Sequence, residues 1–137
     1  MTAVRPEILF LCVHNAGRSQ MAAAFARELG DNRVIVHSAG SAPGEMLNPA
    51  VVKVMAERGI DISSEAPQKL SDEMGRNADV VVTMGCGDAC PYIPGKRYLD
   101  WDLADPKGRP IEEVRATRDE IQQRIAALVT DLDRTYP

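Results

Sequence analysis

The chain has 137 residues, of which 45% are hydrophobic and 26% are charged, and its formal net charge is −4. This length suffices for one domain with a proper core and is short for two, so we expect a single domain over residues 1–137. The acidic balance, without a clustered basic stripe, argues against nucleic-acid binding. No apolar run approaches the ~20 residues that span a bilayer, and the N-terminal segment lacks the apolar region of a signal peptide. The chain has three cysteines, and their spacing is not that of a disulfide-stabilised domain, so we predict no structural disulfides. We therefore expect a cytoplasmic protein without membrane contact.

Taken in chain order, four segments have the apolar composition of buried strands: residues 7–13, 33–37, 78–83 and 97–101. Helices are predicted over residues 18–29, over 49–59 after a capping Asn48, in a short segment after Ser71, and from 111 to the end. This alternation predicts an α/β fold: a single-domain, three-layer sandwich with a four-stranded parallel sheet and helices on both faces. Ligands of such sheets bind beyond the carboxyl ends of the strands. We therefore expect a crevice near Cys12 and Ser38 and between the loops 85–95 and 102–106.

The most informative segment follows the first strand and reads Cys12-Val13-His14-Asn15-Ala16-Gly17-Arg18-Ser19. Its middle residues are small or turn-forming, so the loop can direct successive backbone N–H groups at one point. These groups, the N-terminal end of the next helix and the Arg18 guanidinium all favour a bound tetrahedral oxyanion. The same field favours the thiolate form of Cys12, to which the Ser19 hydroxyl can donate. The alternative is a buried structural cysteine before an ordinary turn. The predicted oxyanion-binding residues are Val13, His14, Asn15, Ala16, Gly17 and Arg18.

The pattern Cys-x5-Arg-Ser after a first strand resembles the phosphate-binding loop of low-molecular-weight protein tyrosine phosphatases, and thioredoxin-coupled arsenate reductases share that fold. The resemblance to the reductases extends over nearly the whole chain, through residues 19–22, 37–40 and 80–84 and through Trp101. It implies that arsenate is the substrate and that phosphate or sulfate can occupy the same loop. It also implies thioredoxin as the reductant and no bound cofactor.

Two further cysteines, Cys86 and Cys90, lie in the loop after the third strand. They can be packed free thiols, metal ligands or a redox pair. A zinc site would need Cys12, His14 or His37 to complete it, and using Cys12 would block the anion loop, so we predict no metal site. As a redox pair they suit a relay in which Cys12 attacks arsenate, Cys86 then attacks Cys12, and Cys90 attacks Cys86.

Displacing an oxygen from a tetrahedral centre requires a proton donor on the side opposite the thiolate. The resemblance implies Asp105, which stands in an Asp-Pro step, whereas the residues alone leave Asp102 as a competitor. The phosphatases place tyrosines after this step, but Lys107 and Gly108 follow here, which favours a small oxyanion over a phosphotyrosine. Some relatives bind potassium near the anion loop through a glutamate. Ala23 stands at that position, so we predict no specific potassium site.

We therefore expect a cytoplasmic arsenate reductase whose catalytic residues are Cys12, Arg18, Ser19, Cys86, Cys90 and Asp105. One alternative is a tyrosine phosphatase that uses only Cys12, Arg18 and Asp105. An alternative from another class is a redox-sensing or oxyanion-binding module without turnover. A small thiol with its own carrier protein is the alternative to thioredoxin, although two resolving cysteines favour thioredoxin.

Overall fold

The computed structural model describes residues 5–85 and 94–136, and a parallel sheet forms the centre of this part of the chain. The strand order is β2-β1-β3-β4, and each neighbouring pair is parallel. The strands are β1 (Glu7–Cys12), β2 (Ile35–Gly40), β3 (Val80–Thr83) and β4 (Arg97–Asp100). The helices are α1 (Arg18–Gly30), α2 (Pro49–Ala56), α3 (Asp72–Asn77) and α4 (Ile111–Thr135), with a 3-10 turn at Asp31–Arg33. The predicted α/β class and four-stranded parallel sheet are confirmed.

Both faces of the sheet are covered, as a parallel sheet requires. Successive residues of a strand point to opposite faces. Ile8 and Phe10 of β1 belong to the larger core, which includes buried side chains of α1, α2 and α4. Leu9 and Leu11 belong to a smaller core, against which Met74 of α3 packs. This division confirms the three-layer arrangement and makes β1, which ends at the predicted nucleophile, the most enclosed strand of the sheet.

Local capping starts two of the helices where the sequence predicts. The Asn48 side chain accepts a hydrogen bond from the backbone N–H of Ala50 at 2.9 Å, and the Ser71 hydroxyl accepts one from that of Met74 at 3.2 Å. These side chains satisfy backbone donors that have no partner within the helix. The α2 helix ends at Ala56, earlier than predicted. The chain then turns through Gly59, whose φ of 76° suits glycine.

The second strand is displaced toward the carboxyl end from its predicted position of 33–37 and extends through residues 38–40, which follow the predicted strand. Pairing with β1 explains the difference, because Glu7 lies opposite Ile35 and Cys12 lies opposite Gly40. A side chain at position 40 would approach the Val13 carbonyl oxygen to 2.5 Å, so only glycine fits there. Ser38, which we expected at the crevice, is instead a buried strand residue that does not line it.

A helix that crosses a membrane must be both long and apolar. Within residues 5–85 and 94–136, none of the helices combines the length and the apolar composition that crossing a membrane requires.

Candidate active site

The site begins where β1 ends and the chain curls back to start α1. Cys12 is the last residue of β1 and Arg18 the first of α1, so the loop between them lies at the carboxyl edge of the sheet. Asn15 adopts a left-handed conformation with φ of 51°, which an asparagine tolerates better than most residues. This turn brings the Asn15 backbone N–H to 3.2 Å from the Cys12 sulfur, to which it donates. The Cys12 side chain is buried.

A chain of hydrogen bonds leads from Asn15 through Ser19 to the Cys12 sulfur. The Asn15 side-chain amide donates to the Ser19 Oγ at 2.7 Å, and this oxygen lies 2.9 Å from the Cys12 Sγ. The amide is held in this orientation because its Oδ1 accepts from the Gln68 backbone N–H at 2.8 Å. Since Ser19 already accepts from Asn15, its own hydrogen is available for the sulfur. Two donors therefore converge on Cys12, an arrangement that stabilises negative charge on the sulfur.

Gln20 is a further member of the site that the sequence analysis did not single out. Its buried Nε2 donates to the backbone oxygen and Oδ1 of Asn15, both at 3.1 Å, and to the Ala66 carbonyl at 3.3 Å. It thereby connects the anion loop to the segment before α3. The sequence did contain a signal for this role, because Gln20 is a polar residue directly before a run of apolar positions, Met21 to Ala26. A polar residue beside such a run is expected to be buried, and buried polar groups require hydrogen-bond partners.

Arg18 connects the anion loop to the segment that follows β4. Its side chain is 8% exposed, its Nη1 donates to the Leu103 carbonyl at 3.2 Å, and its Nη2 lies 3.7 Å from the Asp105 carboxylate. A cation at the first residue of a helix is unfavourable because the helix dipole is positive there. The guanidinium charge and the N-terminal end of α1 together make the electrostatic potential at the loop positive. A positive potential is the property that an oxyanion site requires.

Of the two candidate acids, only Asp105 lines the described cleft. Its side chain is 49% exposed, and one carboxylate oxygen accepts from the Lys107 backbone N–H at 3.0 Å. Asp102 is exposed and lies outside the cleft-lining residues. The geometry therefore favours Asp105 as the proton donor, in agreement with the sequence resemblance, while the catalytic assignment itself stays a prediction.

The cleft above Cys12 has a volume of about 480 Å³ and an apolar wall that the sequence analysis missed. Met46, Leu47, Pro49 and Pro106 contribute to it, and Met46 is 69% exposed. Backbone hydrogen bonds between segment 44–48 and the anion loop place this wall. The described lining contains no phenylalanine, tyrosine or tryptophan.

The two histidines weighed as possible metal ligands lie apart from each other. His14 is exposed at the cleft, and its Nδ1 lies 3.1 Å from the Ala42 carbonyl. Because a carbonyl only accepts, the proton of this contact is on Nδ1. His37 lies in β2, with its Nε2 3.5 Å from a Glu7 carboxylate oxygen. Among residues 5–85 and 94–136, no group of three or more potential metal-ligating side chains comes together.

Cys86 and Cys90, the predicted resolving pair, lie outside the described residues, so their role stays a prediction. The structure does bring together four of the six predicted catalytic residues, Cys12, Arg18, Ser19 and Asp105. It also shows what holds the predicted oxyanion loop in place. The carbonyls of Val13, His14 and Ala16 accept hydrogen bonds from the segment after β2.

Comparison with known proteins agrees with this geometry. A Synechocystis protein named glutaredoxin arsenate reductase is 32% identical over 92% of this chain and 98% of its own length. The thioredoxin-dependent arsenate reductase of Corynebacterium glutamicum superposes with a TM-score of 0.81 at 42% identity, covering 96% of this chain. This chain spans only 63% of that protein. The YwlE arginine phosphatase of Geobacillus stearothermophilus superposes with a TM-score of 0.83 at 31% identity, covering 95% of this chain and 94% of that one.

These relatives share one fold and carry names that describe two activities, arsenate reductase and phosphatase. The model of the family described as low molecular weight phosphotyrosine protein phosphatase matches residues 7–136. That match runs from the first residue of β1 to beyond the end of α4 and includes the whole anion loop. The chain therefore belongs to the low molecular weight phosphotyrosine protein phosphatase family.

Proposed function

We propose that this protein is a cytoplasmic arsenate reductase that takes its electrons from thioredoxin through Cys12, Cys86 and Cys90. The observation that carries the proposal is the buried Cys12 sulfur, which accepts from the Asn15 N–H and lies within hydrogen-bond distance of the Ser19 hydroxyl. The names of the relatives support arsenate as substrate. A cytoplasmic location follows from the reducing conditions that the thiols need.

The first step uses residues of the described cleft. Arsenate oxygens accept hydrogen bonds from the loop N–H groups and from Arg18, which orients the arsenic toward Cys12. The Cys12 thiolate forms a bond to arsenic, and the bond from arsenic to the oxygen of its hydroxyl group breaks. That oxygen takes a proton from Asp105 and leaves as water. Arsenic is still pentavalent and is covalently attached to Cys12.

The electrons move in the next two steps, which rest on the sequence positions of Cys86 and Cys90. The Cys86 thiolate attacks the Cys12 sulfur, a disulfide forms, and the electron pair of the sulfur–arsenic bond goes to arsenic, which leaves as arsenite. The Cys90 thiolate then attacks the Cys86 sulfur and releases Cys12 as thiolate. A dithiol of thioredoxin reduces the Cys86–Cys90 disulfide and supplies the two electrons of the cycle.

The decisive experiment measures NADPH consumption with arsenate, thioredoxin and thioredoxin reductase. The unchanged protein should consume NADPH steadily. Cys90→Ser should release about one equivalent of arsenite per protein and then stop with little NADPH consumed, because its Cys12–Cys86 disulfide is not passed on to a pair that thioredoxin reduces. Cys86→Ser should form no disulfide with Cys12 and release no arsenite. Equal turnover in the unchanged protein and Cys90→Ser would refute the relay. Replacing thioredoxin by glutaredoxin and glutathione tests the alternative reductant, a small thiol with its own carrier protein. The reason for this test is the name of the Synechocystis relative, glutaredoxin arsenate reductase.

A second candidate function is hydrolysis of a phosphate monoester. The observation that favours it is the cleft of about 480 Å³, whose apolar wall is larger than a bare oxyanion needs. The arginine phosphatase among the structural relatives also uses this fold. Hydrolysis of an aryl phosphate that survives Cys86→Ser and Cys90→Ser, without arsenate-dependent NADPH oxidation, would establish this function instead. A binding or sensing module would show neither activity.

A further inference from the structure

Gly85, the last described residue before the cysteine-bearing segment, lies directly against the Arg18 guanidinium. A Cβ atom at position 85 would be 2.3 Å from the Arg18 Nη1 and 3.3 Å from its Cζ. The Gly85 backbone is also in the left-handed region, with φ of 75°. The guanidinium therefore occupies the space in which any other residue would have its side chain.

The same nitrogen is held on another side by the segment that follows β4. Arg18 Nη1 donates to the Leu103 carbonyl at 3.2 Å, and Nη2 lies 3.7 Å from the Asp105 carboxylate. The guanidinium therefore lies between Gly85, which follows β3, and residues 103–105, which follow β4. Its side chain is buried, so its orientation is set by these neighbours and not by solvent.

We propose that Gly85 is a positioning residue for the anion clamp: its bare backbone lets the Arg18 guanidinium lie where it reaches both the oxyanion loop and the Leu103 carbonyl. The inference rests only on the anion-binding part of the proposed function and is independent of the cysteine relay. Gly85 does not itself touch the reacting atoms in this scheme. It acts through Arg18.

A methyl group at position 85 should move the guanidinium and leave the backbone in place. The backbone just before Gly85 is anchored by the Met84 N–H, which donates to the Leu11 carbonyl at 2.8 Å. The end of an arginine side chain, in contrast, moves at low cost. Displacement of Nη1 would break the bond to Leu103 and misalign the two-pronged contact that an arginine makes with an oxyanion. We expect phosphate affinity to fall about ten- to hundredfold in Gly85→Ala, as for loss of a charge-assisted hydrogen bond.

The test measures how inorganic phosphate protects Cys12 from alkylation by iodoacetamide, with the modified Cys12 peptide quantified by mass spectrometry so that other cysteines do not interfere. Gly59→Ala is the matched control. Gly59 has nearly the same φ, 76°, and a Cβ there would meet no atom of the described chain within 4 Å. Both variants introduce similar backbone strain, so Gly59→Ala shows what that strain alone does, and only Gly85→Ala should need more phosphate for half-protection.

A double-mutant cycle shows whether the effect passes through Arg18. Lysine has no counterpart of Nη1, so adding Gly85→Ala to Arg18→Lys should weaken phosphate protection little or not at all. Equal phosphate protection in Gly85→Ala and Gly59→Ala would overturn the inference. An equal loss in the arginine and lysine backgrounds would overturn it as well. Absence of phosphate protection in the unchanged protein would overturn the anion site together with this inference, whereas a failed reductase assay with normal protection would affect only the proposed function.

Discussion

Replacement of Ser19 by alanine tests the hydrogen-bond chain that ends at the Cys12 sulfur. The substitution removes the hydroxyl 2.9 Å from Cys12 and leaves the Asn15 amide without the acceptor it has at 2.7 Å. A hydrogen bond to a charged group contributes about 1.5–3 kcal/mol, so its loss destabilises the negatively charged sulfur by a free energy that corresponds to a factor of about 10 to 150. A thiolate that is harder to form is also more nucleophilic, with a Brønsted coefficient of about 0.4–0.5. The net result is Cys12 alkylation that is about 3- to 20-fold slower.

The assay is the rate of iodoacetamide modification of Cys12, read from its peptide, at a pH low enough that the thiol form predominates in both proteins. Ser41→Ala is the control. The Ser41 backbone N–H donates to the Cys12 carbonyl at 3.3 Å, but its buried hydroxyl has no hydrogen-bond partner among the described residues. Ser41→Ala should therefore react at the rate of the unchanged protein. If Ser19→Ala also reacts at that rate, Ser19 does not stabilise the thiolate and the donor assignment is wrong.

Three other predictions concern the acid, the buried amide and the surface charges. In arsenate turnover assays, Asp105→Asn should lower kcat about 10²-fold or more, while Asp102→Asn should have little effect; the reverse result would reassign the acid. Gln20→Ala should lower the free energy of unfolding by about 2–4 kcal/mol in urea titrations, because it leaves buried acceptors unpaired and a cavity; a change below about 0.5 kcal/mol would contradict this. A hydrogen bond from Arg115, chief among its contacts with two arginines, lowers the pKa of Glu57 from 4.5 to about 2. The folded-state pKa lies below the unfolded value, so this stabilisation is complete above pH 4.5 and is lost as the pH falls through about 2. Thermal unfolding of Glu57→Gln should accordingly show a shallower loss of stability over that range than the unchanged protein, and parallel curves would refute the assignment.

Local sequence patterns were sufficient for the sheet class, the position of the turn between β1 and α1, and the helix starts. An apolar run before Cys12 and the pair Asn48-Pro49 each determine structure through near neighbours, so both could be interpreted from the sequence. The second strand could not be placed correctly. Its segment 38–40 has the composition of a turn, and it is extended only because it pairs with β1, with Gly40 opposite Cys12. Pairing between distant segments overrides such weak local preferences.

The features of the site that were missed depend on distant contacts. Gln20 resembles any polar helix residue until Ala66, 46 positions away, is brought to its amide. The apolar wall around Met46 is placed by backbone hydrogen bonds to the anion loop, including one from the Asn48 N–H to the Ala16 carbonyl at 2.9 Å. Hydrogen bonds between backbone groups leave no trace in side-chain composition, so no sequence signal marked this wall.

The position of Trp101 provides the protein with an intrinsic optical probe. It is the only tryptophan of the chain. Its indole ring is buried, with its centroid 6.4 Å from that of Phe10 on β1 and 5.8 Å from the Arg124 guanidinium carbon of α4. It therefore lies between the strand that ends at Cys12 and helix α4, and it begins the segment that leads to Asp105. Movement of either on ligand binding would alter the emission of a single fluorophore, so stopped-flow fluorescence can time the rearrangement in unlabelled protein.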